Sequence, residues 1–335
     1  MSSIHHPKGE DTVSKPSFGV KVSRGQLMFP INRPEFVEKA WTRNADIIAL
    51  DLEDSVSPED KATARALVRS TLPVVSKGGA EVRVRINKAL WKEDVEASIW
   101  PGLGGIHFPK TESSYEVKQL DVLITRLEQE RNIPEGTVEV IPRIESAKGI
   151  RNAYEIAASS RRVKTFGGVA FGDTTISLGV KSGCKDRDLL GYGNAETQWA
   201  ADALGLIGEG KVGAEPFLRG LAFADYSTPE DEFVGKLALA RRLGFRGGRG
   251  IHPAQVKAMV KGYTPTESEV REARKVVEVF KRAFAEGEIG CELEGKMIDE
   301  YSASKAQELL DFAAACAERD AERARFVEKA LATDK

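Results

Sequence analysis

The sequence predicts an α/β fold, specifically a (β/α)8 TIM barrel followed by a C-terminal helical extension. Seven short apolar runs alternate with longer amphipathic stretches, which is typical of βαβ units and a parallel sheet. No glycine-rich loop of the GxGxxG or GxxxxGK[ST] type follows any of these runs. The absence of such nucleotide-binding loops favours a closed barrel over a doubly wound sheet.

The predicted elements follow one another along most of the chain. Strands are predicted at 26–30, 46–52, 81–86, 104–109, 138–144, 165–171 and 245–251. Helices are predicted at 33–42, 57–70, 113–131 and 147–158. The remaining strand, seventh in order, is placed within 218–224. It falls at the edge of a glycine-rich stretch, 191–220, that is either a mobile loop over a site or a plain insertion.

Three segments are expected: a disordered arm at 1–20, the barrel at 21–262 and a helical segment at 263–335. The last begins with a helix at 265–284 that Thr266 or Ser268 can cap. A short segment at 291–299 leads to a charged helix at 302–331 with a narrow apolar stripe. Such a stripe has to be covered, either by the barrel or by a neighbouring subunit.

Composition excludes several classes of protein. A net charge of −2 and a pI of about 6.2 favour neither nucleic acid nor an anionic membrane as a partner. No apolar run has the length of a membrane span, and the polar N-terminus lacks an export signal, so we expect a cytoplasmic protein. Three separated cysteines and four histidines argue against a disulfide framework and a histidine-based metal site. Any metal chemistry would have to use carboxylates.

Ionisable residues close nearly every predicted strand, and the carboxyl ends of barrel strands meet at one mouth. They are Asp51, Glu53 and Asp54, then Arg83 and Arg85 with the polar Asn87 beside them, then Lys110, Arg143, Glu145, Asp173 and His252. Carboxylates with arginines and a lysine between them suit a hard divalent cation and an anionic ligand. We therefore predict that Glu145 and Asp173 bind Mg²⁺, with Mn²⁺ as the alternative. The competing interpretation is that one of them forms an ordinary salt bridge with Arg143 or Arg85.

A family resemblance extends over roughly residues 24–315. The segments that carry it are RGQLMFPINRPEFVEKA, DIIALDLEDSVSPEDKATAR, VRVRIN, HFPK, IPRIESAKGI, AFGDTTISLG, LGFRGGRGIHPAQV, TPTESEV and GKMID. In this order they resemble the citrate lyase β-subunit-like family, also called the HpcH/HpaI aldolase superfamily. That family includes malyl-CoA, β-methylmalyl-CoA and citramalyl-CoA lyases.

The resemblance implies a TIM barrel whose C-terminal segment packs on a neighbouring subunit, as a homotrimer or homohexamer. By the same resemblance, several residues of this chain acquire expected roles. Glu145 and Asp173 match magnesium ligands, Glu53 and Asp54 match groups that hold the magnesium waters, and Arg85 matches a substrate-binding and catalytic arginine. Asp299 matches an acid–base delivered into the neighbouring active site. Arg33, Lys39 and Gly172 match positions in the CoA and substrate site, and Ile251 and His252 match a substrate-lining pair.

Some of these positions have a simpler interpretation. Asp299 could be the N-cap of a helix ahead of Ser302, and His252, before a proline, could form only local hydrogen bonds. Lys110 could contact CoA or pair with a carboxylate of the DLED motif. The sequence alone leaves each of these pairs of alternatives open.

The implied function is a Mg²⁺-dependent carbon–carbon lyase that splits a short hydroxyacyl-CoA into an acyl-CoA and a 2-keto acid, or forms it. A malyl-CoA-type thioesterase, a class II aldolase acting on free keto acids and a non-enzymatic assembly subunit are the alternatives. Three departures from the family pattern leave the acyl group open. They are Ala170, the stretch 217–231 without an Asp-Gly pair, and the glycine-rich stretch 191–220.

Overall fold

The computed structural model describes residues 21–167, 173–179, 188–211, 230–242 and 244–333. Eight parallel strands form one sheet in the order β5-β4-β3-β2-β1-β8-β7-β6. They are β1 Gly25–Pro30, β2 Ile47–Asp51, β3 Glu81–Arg85, β4 Leu103–Phe108, β5 Glu139–Pro142, β6 Thr165–Gly167, β7 Ile207–Lys211 and β8 Gly247–Gly250. A parallel bridge between Arg143 and Gly167 joins β5 to β6. This bridge closes the ring, so the predicted barrel is confirmed.

Helices follow the strands and cover the outside of the ring. They are α1 Pro34–Ala40, α2 Lys61–Val75, α3 Trp91–Ser98, α4 Ser114–Glu130, α5 Ala147–Arg151, α6 Ala153–Ala157, α7 Asp173–Ser177, α8 Asp188–Ala203, α9 Glu230–Arg242, α10 Pro253–Tyr263, α11 Glu267–Ala285 and α12 Glu300–Thr333. Thr266 caps α11 as predicted, because its hydroxyl accepts the N–H of Glu269 while the Glu269 carboxylate accepts the N–H of Thr266. No helix in the described ranges has the length and apolar character needed to cross a membrane.

Strand β3 shows how the barrel interior is filled. Val82 and Val84 join the apolar core between the strands and the helices. The residues that alternate with them, such as fully buried Arg83, face the interior, since successive side chains of a strand point to opposite faces. Arg83 contacts Glu81 on its own strand and lies 3.7 Å from Glu139 of β5. The middle of this barrel therefore contains buried ion pairs.

The seventh strand was predicted in the wrong place. It is Ile207–Lys211, between β6 and β8, whereas the predicted range 218–224 lies outside the described residues. The first part of the glycine-rich stretch is likewise neither loop nor insertion, because it forms most of α8 and all of β7. The sequence of β7, IGEGK, has two glycines and a single β-branched residue, so it lacks the composition of a buried strand.

The C-terminal helix α12 docks on the amino end of the barrel. Arg24, directly before β1, is fully buried and binds both Asp46, before β2, and Asp320 of α12. Arg323 of α12 also reaches Asp46, at 3.3 Å. Phe312 and Cys316, two members of the predicted apolar stripe, are buried. At least part of the stripe is therefore covered by this chain's own barrel.

Between α11 and α12 the chain forms a two-stranded antiparallel hairpin, β9 Gly290–Leu293 and β10 Lys296–Asp299. Its two turn residues, Glu294 and Gly295, both have positive φ, at 51° and 78°. That backbone is typical of a tight hairpin turn, and glycine adopts it without strain. The hairpin places Asp299 at the start of α12.

Candidate active site

Asp51 and Arg85 form the centre of a charged cluster at the carboxyl ends of β2 and β3. The Nε and Nη2 atoms of Arg85 each donate to the Asp51 carboxylate at 2.6 Å. The backbone N–H of Glu53 donates to the same carboxylate at 2.9 Å. Burial alone would raise the pKa of Asp51, but the hydrogen bonds and charge of Arg85 outweigh it and lower that pKa. Asp51 therefore remains ionised and fixes the plane of the guanidinium.

The third nitrogen of Arg85 points to the other two carboxylates of the DLED motif. Its Nη1 atom lies 3.0 Å from Glu53 and 2.9 Å from Asp54. The Asp54 side chain is 58% exposed, whereas that of Glu53 is only 8% exposed. Burial raises the pKa of Glu53 to about 7, and the nearby Asp54 and Glu145 carboxylates add to that rise against the opposing charge of Arg85. Negative charge at this end of the barrel is only partly compensated.

Lys110 connects three strand ends. It follows β4 and has a left-handed backbone conformation, with φ of 50°, which residues other than glycine rarely adopt. Its backbone N–H donates to the Oε2 atom of Glu145, a residue that follows β5, at 3.1 Å. Its ammonium group lies 3.2 Å from Glu53 and 3.7 Å from Asp173, the first residue of α7. The structure therefore brings Glu145 and Asp173 into one cluster, and it pairs Lys110 with the DLED motif.

The donor set of this cluster fits Mg²⁺. Glu145 is buried and Asp173 is half-exposed, so one carboxylate is fixed and the other faces the mouth. In the described ranges no three His, Cys, Asp or Glu side chains are grouped so as to hold a metal by themselves. Mg²⁺ commonly takes one or two protein carboxylates and fills its other positions with water and substrate. Carboxylates without histidine or cysteine also argue against zinc.

The other described residues predicted to bind CoA or substrate are exposed or form local hydrogen bonds in this chain. Arg33 is exposed at the start of α1, shortly after the carboxyl end of β1, and Lys39 is exposed in the last turn of α1. Ile251 is 51% exposed, directly after β8. His252 caps α10, since its Nδ1 atom accepts the N–H of Ala254 at 3.2 Å. The local hydrogen bond expected for His252 is therefore present, and Gly172 lies outside the described residues.

Asp299 caps α12 in this chain. Its carboxylate accepts the backbone N–H of Ser302 at 2.8 Å and the Ser302 hydroxyl at 2.6 Å. These two hydrogen bonds lower the pKa of Asp299. The side chain is exposed in the hairpin, and its described hydrogen bonds do not join it to Glu145 or Asp173. The N-cap interpretation is therefore correct for the single chain, and an acid–base role in a second subunit stays a prediction.

Sequence reasoning did not identify His107, which lies beneath the cluster on β4. The ring is fully buried, and its Nε2 atom lies 2.9 Å from the amide nitrogen of Gln26. Burial, together with the charges of Arg83, Arg249 and Arg143, holds the pKa of His107 well below its usual value. His107 is therefore neutral. His107 lies two residues after Gly105 on β4, so both positions face the barrel interior. This spacing of two is the sequence signal that could have identified His107 as an inward-facing residue.

These features can now be compared with known proteins. Residues 24–213 match the family model described as HpcH/HpaI aldolase/citrate lyase, more than half of the chain. The chain belongs to the HpcH/HpaI aldolase/citrate lyase family. Its relatives are named lyases, which makes this protein an enzyme of the carbon–carbon lyase class.

Two relatives cover nearly the whole chain. The citrate lyase subunit beta of Leuconostoc mesenteroides subsp. cremoris is 32% identical over 298 residues, which is 88% of this chain and 94% of the relative. The L-malyl-CoA/beta-methylmalyl-CoA lyase of Cereibacter sphaeroides is 32% identical over 311 residues, which is 88% of this chain and 95% of the relative.

Solved structures agree with the fold. The CitE protein of Mycobacterium tuberculosis, in complex with magnesium, acetoacetate and coenzyme A, superposes with a TM-score of 0.66. It is 25% identical, and the match covers 87% of this chain and 97% of that one. A second structure, the M. tuberculosis citrate lyase beta subunit with oxaloacetate and magnesium, has a TM-score of 0.55 at 26% identity and covers 73% of this chain and 98% of that one.

Proposed function

We propose that this enzyme is a Mg²⁺-dependent lyase that splits a short hydroxyacyl-CoA into an acyl-CoA and a 2-keto acid, or forms it from them. Malyl-CoA, β-methylmalyl-CoA and citramalyl-CoA are the substrates to be tested. The observation that carries the proposal is the contact of Lys110 with Glu145, Glu53 and Asp173, which gathers carboxylates from three strand ends around one point. Relatives whose names or bound ligands include CoA thioesters, keto acids and magnesium support the chemistry.

Glu145 and Asp173 would hold the metal. A bound Mg²⁺ would supply Lewis acidity at the carbonyl of the departing keto acid. The Glu145 carboxylate accepts a hydrogen bond from the backbone N–H of Lys110, so its position does not depend on the flexible side chain of Lys110. Glu53 and Asp54 both contact Arg85, and Glu53 also contacts Lys110, so these two carboxylates would hold water molecules of the metal by accepting their hydrogen bonds.

Arg85 would stabilise the negative charge that develops on the thioester oxygen as the carbon–carbon bond breaks. Two of its nitrogens are fixed by Asp51, so the guanidinium is oriented before substrate arrives. The remaining Nη1 atom lies beside exposed Asp54 and is the part of Arg85 nearest to solvent-exposed groups. Cleavage turns the substrate hydroxyl into the carbonyl of the keto acid, with loss of the hydroxyl proton, and leaves an enolate on the acyl-CoA whose carbon has to receive a proton from an acid.

Asp299 from a neighbouring subunit is proposed as that acid. Around the hairpin that carries it, the large apolar side chains of Phe284, Ile289, Met297 and Tyr301 are all exposed, Ile289 to 92%. Clustered exposed apolar side chains are typical of a surface that a partner covers. A homotrimer or homohexamer in which this hairpin reaches the next barrel would provide both the cover and the missing acid.

The substrate assignment is tested by incubating the enzyme with the three thioesters, with and without Mg²⁺, and measuring keto acid and free CoA thiol separately. Keto acid without thiol supports the lyase. Thiol without keto acid identifies a thioesterase, and cleavage of free hydroxy keto acids alone identifies a class II aldolase. Failure to turn over any thioester in the presence of Mg²⁺ would refute the proposal.

The shared site is tested by mixing two inactive variants. Asp299→Asn lacks the acid, and Glu145→Gln lacks a metal ligand. If the acid comes from the neighbour, oligomers re-formed from both variants contain sites that lack neither residue, and activity returns. Re-formed oligomers that stay inactive would show that Asp299 serves its own chain or none.

A further inference from the structure

Among the residues that the structure describes, the barrel strands are joined least extensively between β5 and β6. The other neighbouring strands are paired through three to five residues each. Between β5 and β6, up to Gly167 where the described segment ends, there is one bridge, from Arg143 to Gly167, with a backbone hydrogen bond from the N–H of Val140 to the carbonyl of Arg162 below it. We refer to this junction, residues 139–143 against 162–167, as the β5–β6 seam.

Side chains reinforce the seam at both ends. At the lower end, Arg162 is buried and donates to Glu128 and to the carbonyl of Val138. At the upper end, the fully buried Arg143 lies across the Cα atom of Gly167. A Cβ atom built on Gly167 would lie 2.2 Å from Nη1 and 2.6 Å from Cζ of that guanidinium. The guanidinium therefore occupies the place that a side chain at position 167 would take.

The two proposed metal ligands lie on opposite sides of this seam. Glu145 is two residues beyond Arg143 on the β5 side, and Asp173 is six residues beyond Gly167 on the β6 side. The backbone of Arg143 is held on its other side as well, since its N–H donates to Phe108 and its carbonyl accepts from Thr111, which follows Lys110. Arg143 and Gly167 therefore hold the ends of β5 and β6 together, directly before the chain continues towards Glu145 on one side and Asp173 on the other.

We propose that Arg143 is a positioning residue for the metal site, and that position 167 has to be glycine because only glycine leaves room for the guanidinium. This inference rests on the proposed function, since it assumes that Glu145 and Asp173 bind Mg²⁺. Arg143 is fully buried, so it acts through the spacing of the two carboxylates and not by touching substrate. Groups that orient metal ligands commonly change metal affinity by about 10- to 100-fold when they are altered.

The test measures Mn²⁺ binding by electron paramagnetic resonance, with Mg²⁺ as competitor, and stability by urea unfolding. Gly167→Ala and Arg143→Met should each weaken Mn²⁺ affinity by about tenfold or more. The double variant should be no weaker than Arg143→Met alone, because the alanine then has no guanidinium to displace.

A matched control is Gly105→Ala on β4. A Cβ there would lie 2.7 Å from Cδ1 of Ile141, the movable end of a side chain, and its nearest atoms do not include Arg143. This variant should change Mn²⁺ affinity by less than about twofold, since it does not alter the spacing of the ligand segments. If Gly167→Ala does not fold, Arg143→Met against Gly105→Ala still decides the question.

The outcomes separate the two claims. The positioning role is overturned if Glu145→Gln loses Mn²⁺ binding while Arg143→Met keeps it within about twofold. It is also overturned if the two substitutions add fully in the double variant. If the unmodified protein binds no Mn²⁺ or Mg²⁺, the proposed metal site itself is wrong.

Discussion

Both ends of this barrel carry a cluster of arginines and carboxylates, but the two clusters are balanced differently. At the amino end, Arg24 and Arg323 enclose Asp46, and Asp320 of α12 covers the group. At the carboxyl end, Arg85 and Lys110 face Asp51, Glu53, Glu145 and Asp173. Each cluster has a half-exposed carboxylate, Asp320 in the first and Asp173 in the second, but the second also has a buried carboxyl, Glu53, whose pKa is raised to about 7.

The comparison shows that residue type does not distinguish a structural ion-pair network from a reactive site. What distinguishes them here is whether each carboxylate is already matched by the positive charge of a basic side chain. In barrel enzymes the carboxyl end carries chemistry and the amino end carries stability. We therefore expect substitutions at the two ends to affect different measurements.

The largest effect is expected at the carboxyl end. Glu145→Gln or Asp173→Asn should lower kcat by about 10³-fold, because the loss of Lewis-acid stabilisation costs several kcal/mol in the transition state. The free energy of unfolding should change by less than about 1 kcal/mol, since removing one of several crowded carboxylates relieves repulsion. Steady-state kinetics at saturating Mg²⁺ and urea unfolding test both parts. Full activity in either variant would contradict the assignment of the ligands.

The opposite result is expected for Asp46→Asn at the amino end. The fully buried Arg24 would lose its main counter-charge, and breaking a buried pair in this way costs about 3–5 kcal/mol. Chemical denaturation should show this loss, while kcat measured well below the unfolding temperature should stay within about twofold of the unmodified enzyme. A large fall in kcat with unchanged stability would mean that the two ends are not separate.

A pH dependence of stability should also trace to the amino end. Burial would raise the pKa of Asp320, but the hydrogen bonds and charge of Arg24 outweigh it and lower that pKa below 3.8. A lowered pKa stabilises the fold above the unfolded-state value, and this contribution disappears as the pH falls through the folded value. Asp320→Asn should therefore be destabilising at about pH 6, and the difference from the unmodified protein should shrink as the pH falls below 3.8. A difference that is constant across this range would contradict the pairing with Arg24.

The smallest effect concerns the thiol of Cys316, which lies beside the amino-end cluster of Arg24, Asp46 and Asp320. Burial raises the pKa of Cys316 to about 11, so the thiolate is scarce at neutral pH. Cys291 in the hairpin is half-buried and should react with iodoacetamide faster. Peptide mapping by mass spectrometry after brief alkylation should find Cys316 modified only once urea is added. Early alkylation of Cys316 would show that α12 is released from the barrel.

The sequence predicted the carboxyl end better than the amino end. Charged residues at strand ends, such as Arg85 of the VRVRIN run at the end of β3, lie where the parallel-strand rule places them. The amino-end cluster was not predicted, because Arg24 and Asp320 are 296 residues apart and no local pattern connects them. The strand Ile207–Lys211 was missed because two glycines replace the usual β-branched residues. The left-handed backbone of Lys110 also has no signature in the residue itself, since it follows from the register of its neighbours.

The two separate sets of contacts made by Lys110 make this position suitable for engineering the enzyme. It holds Glu145 through its main-chain N–H and reaches Glu53 and Asp173 through its side chain, so the two functions are carried by different atoms. Replacement by asparagine or glycine, which tolerate positive φ, would remove the side-chain charge and keep the contact to Glu145. A small library at this one position would thus vary the electrostatic potential at the barrel mouth while the Glu145 contact stays in place.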